Sequence, residues 1–285
     1  EAASGDLTDS TGNGNTARDF GTPVYQQTGK IGYSIEFDAS GDYFELDNEA
    51  NFDFERDDSL TWQVWAKIDS ISATSPMLSK DPTSGHPGIR MGCFSDARFF
   101  AALSNEWGSA GKWLMRPTVA TFDDSAFHFF FWTYDGSETK AGFHLYPDGS
   151  EVAYDTDYNT LGANTVQNDD ELRVSRSNYS SSALWWDGWV EEIRIAKTDR
   201  TENWATTEYN NQDDPGSFHT LGSVETNWYD TRWRHRKKIT IDHTEVAGDE
   251  TDFPVLVSVT DADLKSSTNG GGVGLTDGKI GRAHV

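Results

Sequence analysis

LTWQVWAKI, residues 60–68, is the stretch on which the fold turns. Leu60, Trp62, Val64, Ala66 and Ile68 alternate with Thr61, Gln63, Trp65 and Lys67. A period of two sends successive side chains to opposite faces, so the stretch reads as a strand with one apolar face indoors. Upstream, Tyr33, Ile35 and Phe37 alternate with Ser34, Glu36 and Asp38. Downstream, strands are predicted around Ile89–Phe94, Phe99–Leu103, Trp113–Met115, Phe127–Tyr134, Gly142–Tyr146, Glu151–Asp155, Leu172–Ser175 and Trp189–Ala196. Turn-forming residues separate them: Ala39-Ser40-Gly41-Asp42, Pro82–Gly85, Asp135-Gly136-Ser137 and Pro147-Asp148-Gly149-Ser150. The last joins two alternating runs and predicts a hairpin. Many short strands with almost no helical period indicate an all-β sandwich or barrel. One helix is expected over Glu202–Tyr209, capped by Asp199 or Thr201, with Trp204 and Glu208 one turn apart. Asn210–Gly216 should end it, and Phe218–Val224 reads as strand-like.

At 285 residues the chain suits one large domain plus a smaller piece. Aromatic residues make up 13%, with 11 Trp, which is ample for a sandwich core. A formal net charge of -24 repels phosphates and argues against nucleic acid as a partner. Cys93, the sole cysteine, leaves no intrachain disulfide, and its alternation with Ile89 and Met91 reads as a small buried residue. No apolar run reaches the ~20 residues of a membrane span. The chain starts at Glu1 rather than Met, so its start is read as processed or incomplete and compatible with export.

Several segments resemble, in order and spacing, the laminin-G-like, concanavalin-A-like jelly-roll family. DLTDSTGNGN (Asp6–Asn15), GKIGYSIEFDASGDYFELDN (Gly29–Asn48) and LTWQVWAKID (Leu60–Asp69) look like its opening. YPDGSEV (Tyr146–Val152) is similar to its hairpin, and WDGWVEEIRIAK (Trp186–Lys197) to its closing strand. The resemblance implies an antiparallel jelly-roll β-sandwich, a frequent structural calcium, and binding of glycans or proteins at cell surfaces. Two features depart from the family. Only Glu1–Gly5 stand where its first strand normally lies, and Glu191-Glu192 replaces its usual Asp-Glu, changing the reach of any calcium ligand there. From residue 228, WYDTRWRHRKKITIDHTEV and DFPVLVSV resemble the start of a domain of unknown function found beside such modules in large surface proteins. The expected organisation is a jelly roll at 1–224, a linker at 225–231 and a truncated second β-domain at 232–279. The final IGRAHV, 280–285, resembles one reading frame of a sequencing adapter, so the natural chain is expected to continue.

Three kinds of chemistry are candidates. For calcium, Asp9, Thr11, Asn13 and Asn15 offer side-chain oxygens at alternate positions, with Gly12 and Gly14 between them. Strand parity puts Glu191 on the inward face with Trp189, Ile193 and Ile195, where a carboxylate needs a partner, and Asp38 could approach the same place. Ca2+ on Asp9, Asn13, Asn15, Asp38 and Glu191 should raise the melting temperature. The competing reading is an Asx-rich turn with Glu191 paired to Arg173 or Arg194. For sugar binding, Trp107, Trp113, Trp185 and Trp186 sit beside small or polar residues, and indole faces suit sugar rings. Ordinary packing is the alternative, and of adjacent Trp185 and Trp186 one must face away from the core. For catalysis, a retaining glycosidase needs carboxylates ~5–5.5 Å apart, two positions apart on one strand. Glu191 and Glu192 are adjacent and point to opposite faces, so no enzyme is expected. The basic run RWRHRKK (Arg232–Lys238) reads as a strand edge protected by cations, or as local pairing with the acidic sandwich, rather than as a nucleic-acid contact.

The sequence therefore predicts an extracellular or cell-surface binding module, a virion surface included. Its expected partners are a polysaccharide or glycoprotein and the neighbouring domains of a larger surface protein. An architectural spacer without glycan binding is the second reading, and a glycoside hydrolase the third.

Overall fold

The computed structural model describes residues 3–9, 12–83, 87–106, 112–155, 158–178, 184–225 and 237–262. Its strands are β1 (Ala17–Phe20), β2 (Val24–Thr28), β3 (Tyr33–Asp38), β4 (Tyr43–Leu46), β5 (Leu60–Ile68) and β6 (Ser75–Lys80). They continue with β7 (Gly88–Cys93), β8 (Arg98–Glu106), β9 (Lys112–Thr121), β10 (His128–Tyr134), β11 (Phe143–Leu145) and β12 (Tyr158–Asn159). Then follow β13 (Arg173–Val174), β14 (Arg176–Ser177), β15 (Leu184–Trp185), β16 (Asp187–Ala196), α1 (Glu202–Asp213), α2 (Pro215–Phe218), β17 (His219–Leu221) and β18 (Ile239–Ile241). The chain forms two compact units, Glu1–Tyr209 and Asn210–Val285, dividing inside α1.

The first unit is an antiparallel sandwich. One sheet has eight strands in the order β1-β4-β13-β6-β7-β8-β9-β12, the other six in the order β11-β10-β5-β16-β3-β2. The alternation at 60–68 does what it predicts: Leu60, Trp62, Val64, Ala66 and Ile68 all lie in the core between the layers. Trp62 pairs with Trp132 of β10, and their rings meet edge to face at 6.1 Å. Phe37 against Phe44, at 5.5 Å and 89°, and Phe99 against Phe130, at 4.9 Å, tie one layer to the other. Cys93 is fully buried in this core, and burial pushes its thiol pKa well above the usual range, so it is no nucleophile.

Three of the four odd positions of β5, Thr61, Gln63 and Trp65, are buried as well. Trp65 is covered by Phe129 and Tyr209, at 5.4 and 5.8 Å, because α1 lies over this outer face. The Thr201 hydroxyl accepts from Trp204 N at 3.1 Å and caps α1, which runs on to Asp213 through the stretch expected to end it. A strand buried on both faces is why β10 reads as the nearly unbroken apolar run HFFFWTY.

The hairpin expected around Pro147–Ser150 does not form. β11 pairs with β10, while the chain after the turn crosses to β9 of the other sheet, where Thr118 bridges Tyr154. The turn is claimed by the layer behind it. Asp148, left-handed at φ 51°, accepts from Phe129 N at 2.9 Å and from the His128 ring at 2.8 Å. Burial opposes charge on His128, but Asp148 and Asp124, one on each ring nitrogen, outweigh it and raise its pKa.

In the second unit, Asp214 caps α2 through Gly216 N and Ser217 N, and β17 pairs with β18 at Thr220–Thr240. Phe253–Val259 forms no strand. Pro254 has no N–H to give a ladder, and the Asn211 amide pairs instead with Leu256, donating to its O at 3.0 Å and accepting from its N at 2.6 Å. Most of the RWRHRKK run and the 280–285 tail lie outside the described residues. Among the described residues no helix is long and apolar enough to cross a membrane.

Candidate functional site

Cross-strand partners share a sheet face. A row formed by Glu45, Arg173, Ser79, Arg90, Ala102 and Met115 therefore crosses the outer face of the eight-stranded sheet, opposite the core. Arg90 and Asp81 form a buried ion pair at the middle of this face. The Asp81 carboxylate also accepts from the Ser177 hydroxyl at 2.6 Å and from Asn178 N at 3.2 Å. Ser79 donates to Arg176 O at 2.6 Å. These bonds pin the β14–β15 hairpin onto β6.

What the hairpin carries meets the sheet edge. Phe20 of β1 stacks on Tyr43 of β4 at 4.6 Å and 7°. Trp185 of β15 approaches Tyr43 at 5.8 Å, and the Arg176 guanidinium lies 4.5 Å from the Tyr43 ring centre and 5.1 Å from that of Trp185. All four side chains are half-buried. The result is an aromatic platform with a cation held against it. Trp185 was expected from sequence. Phe20, Tyr43 and Arg176 were not, although Tyr43 and Glu45 alternating with inward Phe44 and Leu46 carried a signal for two outward positions.

A second concavity, about 480 Å³, opens between the layers where β1 and β4 face β2 and β3. Phe37, Phe44, Leu172 and Val190 floor it, and Asp9, Asn15, Gln26 and Glu192 border it. Glu191 also reaches it, but on a parity different from the expected one. Glu192, at φ 49°, forms a bulge between Glu191 and Arg194, so Val190, Ile193 and Ile195 pack on the core while Glu191 pairs with Trp65 on the outer side.

The fold, the closing strand and this outer face agree with a match to the model of a known family, the concanavalin A-like lectin/glucanases superfamily, over residues 38–206. The chain belongs to that superfamily. Among solved structures, this concanavalin A-like chain is similar to the binding domain of Paraclostridial Mosquitocidal Protein 1, with a TM-score of 0.57 and 10% identity over 85% of this chain. It spans 62% of that toxin domain's length. It is also similar to a Trypanosoma rangeli sialidase (TM-score 0.52, 13% identity, 75% of this chain and 32% of that one). A third likeness is to the binding domain of a botulinum neurotoxin of serotype D/C (TM-score 0.51, 12% identity, 76% of this chain and 51% of that one). At these identities the likeness is one of fold. No curated protein matches the chain.

In this concanavalin A-like frame the other expected residues take separate places. Trp186 is not a ligand platform; it is buried in the core, because Trp185 takes the outward position of the adjacent pair. Trp113 faces outward on β9 and meets Tyr158 edge to face at 5.4 Å. It is five strands from Tyr43, roughly 24 Å at the usual strand spacing, and shares no site with Trp185. Trp107 lies outside the described residues.

The five expected calcium donors do not assemble as one set. Asp9, Asn15 and Glu191 border the same cleft, whereas Asn13 and Asp38 do not. The Asp9 carboxylate accepts from Asn15 N at 2.8 Å, the Asn15 side chain accepts from Asn51 at 2.6 Å, and Asn13 offers its backbone O to Asn48. The Glu191 carboxylate accepts from Lys30 N and Ile31 N, taking neither Arg173 nor Arg194, in the turn between β2 and β3. Gly29 makes this possible, since a Cβ there would sit 2.3 Å from Glu191 Oε2. Among the described residues no three His, Cys, Asp or Glu are grouped to hold a metal ion. Glu191 is buried on turn amides and Glu192 is exposed beside Arg194.

Asp38 belongs to a different acidic group. It pairs with Asp187 of β16, whose pKa is raised by burial and then by Asp69, Asp38 and Glu36. A carboxyl protonated more easily in the folded than in the unfolded chain carries a charge that opposes folding at neutral pH. That penalty fades as pH falls toward the unfolded value of about 3.9. Asp187→Asn is therefore expected to raise Tm at pH 7, with a gain that shrinks toward pH 4. Thermal melts across that range check it, and an equal or lower Tm at pH 7 would contradict it.

Proposed function

We propose that this chain is a non-catalytic, extracellular glycan-binding module whose ligand rests on the outer face of the eight-stranded sheet, at Phe20, Tyr43 and Trp185. One observation carries the reading. Three aromatic side chains from the edge strand β1, its neighbour β4 and a separate hairpin meet with their rings half-exposed, in a fold whose core already has aromatic residues in plenty. The indole next to Trp185, Trp186, turns indoors instead. A flat apolar surface bounded by polar groups matches the alternating C–H faces and hydroxyl rims of a sugar ring. The neighbouring domains of a larger surface protein would present the module.

The test is a glycan array with the full chain, followed by calorimetry on the strongest hit. Tyr43→Ala and Trp185→Ala are each expected to weaken binding by roughly 30-fold, the scale of losing a central aromatic anchor. Trp113→Ala should leave it unchanged. No reproducible glycan hit would leave the architectural-spacer reading in its place.

A further inference from the structure

Arg176 narrows the ligand. Among the described residues, four arginines have a buried Nε without a hydrogen bond: Arg18, Arg56, Arg90 and Arg176. The first three lie within ion-pair distance of carboxylates, on Asp47, Glu138 and Asp81 respectively. Arg176 alone of the four makes no ion pair with a carboxylate among the described residues. This holds in a chain where Asp and Glu outnumber Lys and Arg by 47 to 23. Its contacts are instead the rings of Tyr43 and Trp185. The neighbouring acid on the same face, Glu45, is already engaged by Arg173 at 3.0 Å and Arg18 at 3.8 Å.

A guanidinium is always charged, and its donors lie in its plane, so aromatic contact with its face leaves the N–H edge for another partner. The acceptor that matches a guanidinium edge is a planar carboxylate held through two parallel hydrogen bonds. The aromatic rings and the cation together describe a bifunctional ligand: an apolar ring face for Tyr43 and Trp185, and a carboxylate within a few ångströms of it for Arg176.

We infer that the platform recognises a sugar carrying a carboxylate, with Arg176 as the carboxylate-binding residue. The inference rests on the glycan-binding reading above and adds its chemical class. A dense polyanion is disfavoured, because a net charge of -24 repels it at long range, whereas a local pair inside the Debye length of about 8 Å remains available.

The experiment compares one backbone with and without its charge. Galacturonic acid and its methyl ester differ only in the carboxylate, and sialyllactose against its methyl ester provides the same contrast from a different acidic sugar. By calorimetry on the full chain, at least one acidic member should bind tenfold or more tightly than its neutral counterpart, which also tells uronate from sialate. Arg176→Gln should bring that ratio close to one, and Arg176→Lys, which keeps the charge but not the fork, should restore only part of it. Equal binding of acid and neutral forms by the unaltered chain overturns the inference, and so does a preference that survives Arg176→Gln or one confined to sulfated glycans. In each of those cases the platform is still a glycan site. Loss of all glycan binding in the unaltered chain overturns the parent reading instead. The acid-to-neutral comparison needs no variant, so it stands even if an Arg176 substitution fails to fold.

Discussion

Asp81→Ala is expected to destabilise the sandwich by about 3–5 kcal/mol, the cost of leaving one charge of a buried pair without its partner. In a unit of this size that lowers Tm by roughly 6–20 °C. Both members of the Asp81–Arg90 pair are almost inaccessible, so water cannot replace the lost carboxylate. The double variant Asp81→Leu/Arg90→Met removes the charge problem and should recover part of the loss. It cannot recover all of it, because Ser177 and Asn178 N also lose their acceptor. Asp81→Ala should also weaken glycan binding at temperatures where the chain is still folded, since those two bonds hold the hairpin that presents Arg176 and Trp185. Denaturation and calorimetry on the same preparations separate the two effects. A double variant no more stable than Asp81→Ala would show that the hairpin bonds, not the ion pair, dominate.

The contrast between strands shows what the sequence could reveal. β5 was legible because hydrophobicity alternates along it and one face meets the other layer. β6, SPMLSK, was not read as a strand, though every residue in it is buried. Its Ser79 faces the pinned hairpin, and its Lys80 is neutralised indoors by Glu49 and Asp53 and by the carbonyls of Asn168 and Asp170. Partners distant in sequence make those polar residues acceptable inside a sheet, and no local pattern announces them. The same limit explains Glu191. Strand parity holds only while the ladder is regular, and the bulge at Glu192 reverses it within one residue. At the platform, the adjacency of Trp185 and Trp186 guaranteed one outward indole. Nothing in the sequence could say that Phe20, Tyr43 and Arg176 would gather around it from β1, β4 and β14.

The first two turns of α1, on the outer face of the six-stranded sheet, allow a test as severe. Glu208 is buried, and its carboxylate accepts from Gln63 Nε2 at 3.0 Å, from Trp204 Nε1 at 2.8 Å and from Arg194. Arg194 is more than a third exposed and can turn to water, so its share is small. Gln63 and Trp204 are buried and cannot. Glu208→Ala deprives two buried donors of this acceptor at about 1–3 kcal/mol each, giving an expected loss of roughly 2–6 kcal/mol. Glu208→Gln keeps an acceptor oxygen in place and should lose much less. Glu208 ties α1 to Gln63 of β5 beside the Tyr209–Trp65 contact, so hydrogen exchange at residues 204–209 should accelerate in Glu208→Ala more than exchange in β5 does. Exchange that rises equally in both would mean that the helix and the six-stranded sheet open together. Glu208 would then belong to the cooperative core rather than to a cover fastened onto it.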